Sequence, residues 1–123
     1  MRNIIMIILL LSLNACHLFK ENGIEFTIEN KSDSPIEKVK FSTSEKLAFM
    51  KFDKIEPNQS IVDFLSMTNN KNDGSYTLEF TRANGIKESK RFGYYTNGGS
   101  LDRWVEFKIK NDTITRKFSG PEY

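Results

Sequence analysis

The sequence of 123 residues is poor in the side chains that carry much of enzyme chemistry, with one cysteine, Cys16, and one histidine, His17. A lone cysteine cannot form a disulfide within the chain. Nucleophilic triads need a base held by a third group, and zinc sites built on Cys and His need several such ligands. His17 precedes every segment with strand patterning, so it is poorly placed as a base in a folded domain. The scarcity argues against histidine-dependent hydrolysis and against a metal site.

A strong charge of either sign is also missing. The chain has 18 Lys and Arg against 16 Asp and Glu, a formal net charge of +2. Nucleic-acid-binding domains usually concentrate basic residues on one face or along one element. We therefore expect no nucleic-acid partner.

Long hydrophobic runs are absent outside the N-terminus. There, the segment 4–13 is apolar apart from Ser12, follows the positive Arg2, and is followed by the small residue Ala15 directly before Cys16. Spanning a bilayer takes about 20 residues, so this run is too short to cross one. A charged start, a short apolar core and a small residue at the cleavage site are the parts of a secretory signal peptide.

The four residues Leu13-Asn14-Ala15-Cys16 resemble the lipobox of bacterial lipoproteins, although Asn14 stands where that family usually has a small residue. The resemblance implies that the mature protein begins at Cys16 and carries diacylglycerol and a fatty acyl group there. We expect no other cofactor. The alternative is an ordinary signal peptide cut nearby, which would leave Cys16 as a free thiol.

The resemblance to lipoproteins also implies a place in the bacterial cell envelope, attached to a membrane by lipid. In proteobacterial lipoproteins an Asp after the cysteine marks retention in the inner membrane. His17 stands at that position here, which favours the outer membrane. The chain is then divided into a signal peptide (1–15), a lipidated tether (16–22) and one domain (23–123).

From residue 23 onward the hydropathy alternates with a period of two, which is typical of half-buried β-strands. Asn84-Gly85 between two such segments predicts a hairpin turn. The segment 47–52 is apolar on both faces apart from Lys51 and is expected to be a more buried or an irregular strand. The lysines of 38–40 and 108–110 are expected to protect sheet edges. The predicted strands cover 24–29, 38–43, 47–52, 61–67, 76–81, 86–92, 105–110 and 114–118.

Seven or eight short strands, with turn signals about every ten residues, predict an all-β domain. We expect an antiparallel β-sandwich of immunoglobulin-like type, because the hairpins are separated by longer connections that could cross between sheets. A small β-barrel is the alternative.

Two further kinds of site can be weighed. Carboxylates could act as an acid–base pair, but the available glutamates fall on polar strand faces, where solvated carboxylates are expected. The loop 69–74 has the composition of a calcium loop, yet Lys71 occupies a ligand position and Phe80 stands where a closing acid is needed. We expect a solvated loop, no metal and no enzymatic activity. The glutamates in question are Glu25, Glu29, Glu79, Glu88 and Glu106.

One aromatic group suggests recognition. Tyr94 and Tyr95 lie in the glycine-rich stretch 92–100, and the only tryptophan, Trp104, follows it. Tyr and Trp dominate binding hot spots and stack on sugar rings, so these three residues are the candidate binding surface. The alternative is that one tyrosine plugs an end of the sandwich while Trp104 covers the second sheet.

Three functions follow from these features. The leading one is a lipid-anchored envelope protein acting as a non-catalytic binding or structural module, with a protein or glycan partner. The second is an inhibitor or immunity-type lipoprotein that binds a cell-wall hydrolase or a toxin. A small hydrolase with a carboxylate pair is the third and has the least support.

Overall fold

A computed structural model of the protein describes residues 21–120. The predicted signal peptide, Cys16 and His17 lie outside the described residues. Within 21–120 the chain forms nine strands, and no helix there is long and apolar enough to cross a membrane. The strands are β1 (Gly23–Asn30), β2 (Ile36–Thr43), β3 (Phe49–Ile55), β4 (Ser60–Ser66), β5 (Gly74–Thr81), β6 (Lys87–Thr96), β7 (Gly99–Ser100), β8 (Trp104–Ile109) and β9 (Ile114–Phe118).

The strands form two sheets, one in the order β4-β1-β8-β9 and the other in the order β3-β2-β5-β6-β7. This confirms an all-β domain with two sheets. The chain passes between the sheets four times, after β1, β3, β4 and β7. The predicted hairpin at Asn84-Gly85 joins β5 to β6, and the Gly85 amide donates to the Arg82 carbonyl. The two-residue strand β7 was not predicted, because it is too short to show alternation.

The prediction of an entirely antiparallel sandwich is wrong for one pair of strands. β1 pairs with β4 in the antiparallel sense but with β8 in the parallel sense, with Glu25 opposite Trp104 and Phe26 opposite Val105. A parallel neighbour requires a long connection rather than a hairpin. Here that connection is nearly the whole domain, so no local turn signal marks the pair.

The prediction that segment 47–52 is more buried is wrong. β3 lies at the edge of the five-stranded sheet and pairs only with β2. Leu47, just before β3, is 51% exposed and Phe49 is 55% exposed. The prediction that the lysine-rich strands protect sheet edges is also wrong, because β2 and β8 both lie in the interior of their sheets. Polar residues along a strand show that one of its faces is exposed, but they do not show whether the strand lies at the edge or in the interior of the sheet.

Aromatic rings join the two sheets across the core. The ring centroids of Phe26 on β1 and Phe41 on β2 are 4.7 Å apart. Phe107 on β8 lies 5.6 Å from Phe41 and 5.2 Å from Phe92 on β6. Tilted and edge contacts at these distances stabilise a core beyond the area that they bury.

The two ends of β1 define the two ends of the sandwich, called here the Gly23 end and the Asn30 end. At the Gly23 end, the Asn22 side chain donates to the Met67 carbonyl at 3.2 Å and the Gly98 carbonyl at 2.8 Å. At the Asn30 end, the buried Asn30 amide donates to the carbonyls of Ser34 and Ile55 and accepts from Ser32. An asparagine therefore ties the two sheets together at each end.

Two β-bulges interrupt the alternation in the five-stranded sheet. One lies in β2 between Glu37 and Lys40, with Lys38 at φ 50°, and the other in β6, with Gly93 at φ 68°. A bulge places an extra residue in one strand and changes which side chains face inward. Ile36 and Val39, three residues apart, are consequently both buried.

Candidate functional site

The bulge at Gly93 separates the two candidate tyrosines. Phe92 and Tyr95, three residues apart, both point into the core, while Tyr94 between them is 41% exposed. Strict alternation from Phe92 would have placed Tyr94 inside and Tyr95 outside. The prediction that Tyr95 belongs to a binding surface is therefore wrong, since its side chain is 0% exposed. Tyr95 closes the Gly23 end of the sandwich, as the alternative interpretation expected of one tyrosine.

Tyr95 is held by a ring contact and a hydrogen bond. Its ring centroid lies 5.5 Å from that of Tyr76, and its hydroxyl donates to Oε1 of Glu45 at 3.0 Å. Burial raises the pKa of the Tyr95 phenol, and the neighbouring Glu45 carboxylate raises it further. Tyr95 is thus a neutral donor that positions the loop containing Glu45.

Tyr94 is directed to the outside and contacts the loop 69–74. Its hydroxyl donates to Oδ2 of Asp73 at 3.3 Å, and Oδ1 of Asp73 accepts from the Asn97 amide at 2.9 Å. Partial desolvation and the Asp73 charge raise the pKa of the Tyr94 phenol. Tyr94 remains available to a partner through its ring.

Trp104 lies on the outer face of the other sheet. Along β8 the residues Val105, Phe107 and Ile109 are buried, while Trp104 is half-buried and faces the same side as its register partner Glu25. Tyr94 and Trp104 therefore belong to different sheets. The structure does not bring Tyr94, Tyr95 and Trp104 into one recognition surface.

The loop 69–74 is organised by hydrogen bonds within the domain. Glu45 accepts from the backbone amides of Lys71 at 3.3 Å and Asn72 at 3.1 Å. Partial desolvation would raise the pKa of Glu45, but these amides and the Tyr95 hydroxyl outweigh it and hold the pKa below its ordinary value of 4.5. Within residues 21–120 no group of three or more His, Cys, Asp and Glu is placed to hold a metal ion.

Among the described residues, seven large hydrophobic side chains are exposed, and most of them lie toward the Gly23 end. Two of the seven lie elsewhere, Val62 within β4 and Ile86 at the hairpin of the Asn30 end. The other five lie in strand segments or turns toward the Gly23 end: Leu47, Phe49, Phe64, Tyr94 and Leu101. Phe64 and Leu101 also line an open cavity of about 550 Å³ together with Asn22 and Gly23.

A second cavity, of about 500 Å³, lies on the five-stranded sheet beside the β2 bulge. Val39, Phe52 and Phe80 form part of its lining, and the side chains around it are mostly charged. We call it the lysine groove because four lysines line it: Lys38, Lys40, Lys51 and Lys87. Asp53, Glu79 and Glu88 line it as well.

The carboxylates considered for acid–base chemistry are occupied or exposed. Glu88 makes a two-point contact with Arg82, with Nε to Oε1 and Nη2 to Oε2 both at 3.1 Å. Glu29 lies 3.8 Å from Lys31, while Glu25 and Glu106 are exposed on an outer face. Glu79 accepts from the Ser89 hydroxyl at 3.4 Å.

Sequence reasoning missed the lysine groove, because its lysines come from three strands whose pairing was not known. One local signal was available. Ile36 and Val39 break the period of two, which indicates a bulge at Glu37-Lys38, and bulges often redirect side chains next to sites.

No protein-family model matches the chain, and a search of curated proteins finds no match. Among solved structures, the chain is similar to one described as the NMR structure of the protein from Eubacterium rectale. The TM-score is 0.58 and the identity 11%, over 82% of this chain and 92% of that chain. At this identity the similarity shows the fold alone.

Proposed function

We propose that this protein is a lipid-anchored component of the bacterial cell envelope that acts as a non-catalytic binding module. The lipobox-like segment ending at Cys16 motivates the anchor. The observation that carries the proposal is an asymmetry, because five of the seven large hydrophobic side chains that are exposed within residues 21–120 lie toward the Gly23 end. That is also the end at which the chain arrives from Cys16.

The link between anchor and domain is short. Asn22 is already hydrogen-bonded to Met67 and Gly98, so only residues 17–21 separate Cys16 from the folded part. The six residue steps from Cys16 to Asn22, at about 3.3 Å each, reach at most about 20 Å. A lipid on Cys16 would therefore keep the Gly23 end at the membrane surface.

The Gly23 end has the chemistry that such a position requires. Leu47, Leu101 and Tyr94 are each between 41% and 51% exposed, and apolar and aromatic side chains are favoured at the lipid headgroup level. Lys46 and Lys71 are exposed in the adjoining loops, and basic residues near an anionic leaflet each contribute about 1 kcal/mol of attraction. The Asn30 end and the outer sheet faces are then free to meet a partner. We place the protein at the outer membrane because His17 follows Cys16.

Inhibition of a cell-wall hydrolase or toxin is the second candidate. It is favoured by the edges of the sheets, because β3 and β4 are edge strands that carry the exposed side chains of Phe49 and Val62. An exposed edge can accept a strand from a protein partner. We also propose an immunoglobulin-like arrangement of the sandwich, supported by its two sheets and four crossings between them.

The anchor can be tested by metabolic labelling with an alkyne fatty acid. The wild-type protein should be labelled, whereas Cys16→Ser should be unlabelled and remain uncleaved. Ser12→Ala, a change within the same N-terminal segment, is the matched control and should keep the label. Full labelling of Cys16→Ser would contradict the anchor.

The orientation is tested in liposomes with an environment-sensitive dye on a single added cysteine. Leu101→Cys and Ile86→Cys are matched in exposure, at 47% and 57%, but lie toward opposite ends. Because Cys16 is acylated, only the added thiol should react. The dye at position 101 should shift to the blue in lipid, and the dye at position 86 should not. Equal spectra would overturn the orientation.

A pulldown from solubilised envelope separates the two candidate functions. A stoichiometric protein partner favours inhibition, and retained glycan favours a carbohydrate-binding module.

A further inference from the structure

We propose that the lysine groove binds an anionic saccharide, a sugar that carries a carboxylate or phosphate group. None of the residues that line the groove is among the five exposed hydrophobic residues of the Gly23 end, and this inference does not depend on the lipid anchor. Its volume of about 500 Å³ is within the range of about 300–1,000 Å³ that is usual for small-ligand sites.

The lysines of the groove form no ion pair within 4.0 Å among the described residues, although Glu79 is the register partner of Lys40 on the neighbouring strand. In the described part of the chain, the ion pairs within 4.0 Å join Lys31 to Glu29, Lys54 to Glu56 and Arg82 to Glu88. None of these involves a lysine of the groove. Arg82 engages both carboxylate oxygens of Glu88, which withdraws one of the three acids that line the groove.

Two of the lysines are placed directly against each other. Lys40 on β2 is the register partner of Lys51 on β3, and like charges at such positions destabilise a sheet. Their ammonium nitrogens lie 5.4 Å and 5.6 Å from the centroid of the same Phe49 ring. An anionic group bound between the two ammonium groups would relieve this repulsion.

The β2 bulge adds a third cation at a cost in backbone energy. Lys38 has φ 50°, a left-handed conformation that is unfavourable for a residue with a Cβ. Strained residues of this kind are found preferentially at binding and active sites. The bulge sets Lys38 beside Lys40 on the groove.

The remaining polar lining selects a sugar rather than a simple anion. Asp53 and Glu79 line the groove, and ionised carboxylates only accept hydrogen bonds. They would repel a ligand that is anionic throughout, but they suit the hydroxyl groups of a sugar. Thr81 and Ser89 offer further hydroxyls. Cations that hold the acidic group and acceptors that hold the hydroxyls together define an acidic saccharide.

The test is a titration of the full chain in non-ionic detergent, followed by NMR shifts of the backbone amides. The probes are glucuronate, glucose 6-phosphate, glucose and inorganic phosphate. Both anionic sugars should shift amides of the groove and approach saturation by about 10 mM. Glucose and phosphate should each bind at least tenfold more weakly. Equal binding of either control, or no shift with either anionic sugar, would overturn the proposal.

Matched double variants locate the binding. Lys40→Gln/Lys51→Gln should weaken both anionic sugars at least tenfold, while Lys108→Gln/Lys110→Gln, near the end of β8 in the other sheet, should leave binding unchanged. Equal loss in both pairs, or in neither, would contradict the assignment.

A measurement without ligand tests the repulsion itself. Lys51→Gln should raise the melting temperature by a few degrees, and added salt should raise that of the wild type more than that of the variant. A lower melting temperature for Lys51→Gln would show that the contact with Phe49 outweighs the repulsion, and would remove this support.

Discussion

The two ends of the sandwich differ in how completely their polar groups are satisfied. At the Asn30 end, the fully buried Asn30 amide uses both its donor and its acceptor atoms in four hydrogen bonds. At the Gly23 end, Nδ2 of Asn70 and Oδ2 of Asp102 are buried without a partner among the described residues. Most of the exposed large hydrophobic side chains also lie toward the Gly23 end.

The comparison suggests a division of roles between the ends. Buried polar groups are nearly always paired, and local departures from this rule tend to gather at functional sites. The Asn30 end meets the rule and serves to hold the sheets together. The Gly23 end departs from the rule and exposes apolar surface. We expect this of an end that lies against a membrane surface, as proposed above.

The largest effect on stability is expected for Tyr95, which closes the Gly23 end. Tyr95→Ala should lower the free energy of unfolding by about 3–5 kcal/mol, the usual cost of removing a large buried aromatic side chain. Tyr94→Ala is the control, and its melt should stay close to that of the wild type because the ring is partly exposed. Thermal and urea melts measure both. Similar losses would mean that the bulge does not separate the two tyrosines.

Asn30→Ala should come next, at about 3 kcal/mol, because it removes the Asn30 partner of the buried Ser32 amide and of the Ile55 carbonyl. Asn22→Ala, the corresponding change at the Gly23 end, should cost about 1 kcal/mol, since its hydrogen bonds are partly exposed and water can replace them. Urea melts of the two variants compare the ends directly. Equal costs would remove the proposed difference between them.

Two glycines with positive φ give a matched pair of turns. Gly98, toward the Gly23 end, has φ 72°, and a Cβ there would lie 2.1 Å from the Asn70 carbonyl oxygen. Gly85, at the Asn30 end, has φ 85° and open space around it. Gly85→Ala should cost about 1 kcal/mol from backbone strain alone, and Gly98→Ala at least about 2 kcal/mol. A Gly98→Ala melt equal to that of Gly85→Ala would show that the loop containing Asn70 shifts easily to make room for the added Cβ.

The smallest effect concerns acid stability. The pKa of Glu45 is lower in the folded protein than its ordinary value of 4.5, so its contribution is present above that value and is lost as the pH falls below it. Glu45→Gln should flatten this part of the pH profile of stability, measured by melts between pH 3 and 7. Glu106→Gln, on an exposed face of β8, should keep the wild-type profile. An unchanged slope in Glu45→Gln would show that the loop does not depend on the charge.

The sequence predicts the local structure well and the arrangement of strands poorly. Alternation finds eight of the nine strands, because burial of one strand face leaves a direct trace in the residue order. The edge position of β3 and the parallel partner of β1 are set by contacts between distant segments, which alternation does not encode. The bulge at Gly93 decides which of Tyr94 and Tyr95 faces the core, because a shift of one residue exchanges the inner and outer faces of a strand.

The pairing of β1 has a consequence for the order of folding. The first strand to be synthesised is completed on one side by β4 and on the other by β8, and the Ser100 amide reaches Asn22 across 78 residues of sequence. Contacts so distant in sequence form slowly and only once the later segments are present. The four-stranded sheet therefore cannot close until nearly the whole domain has emerged. A chain exported as we propose would stay extended through most of its passage across the membrane and fold on the far side.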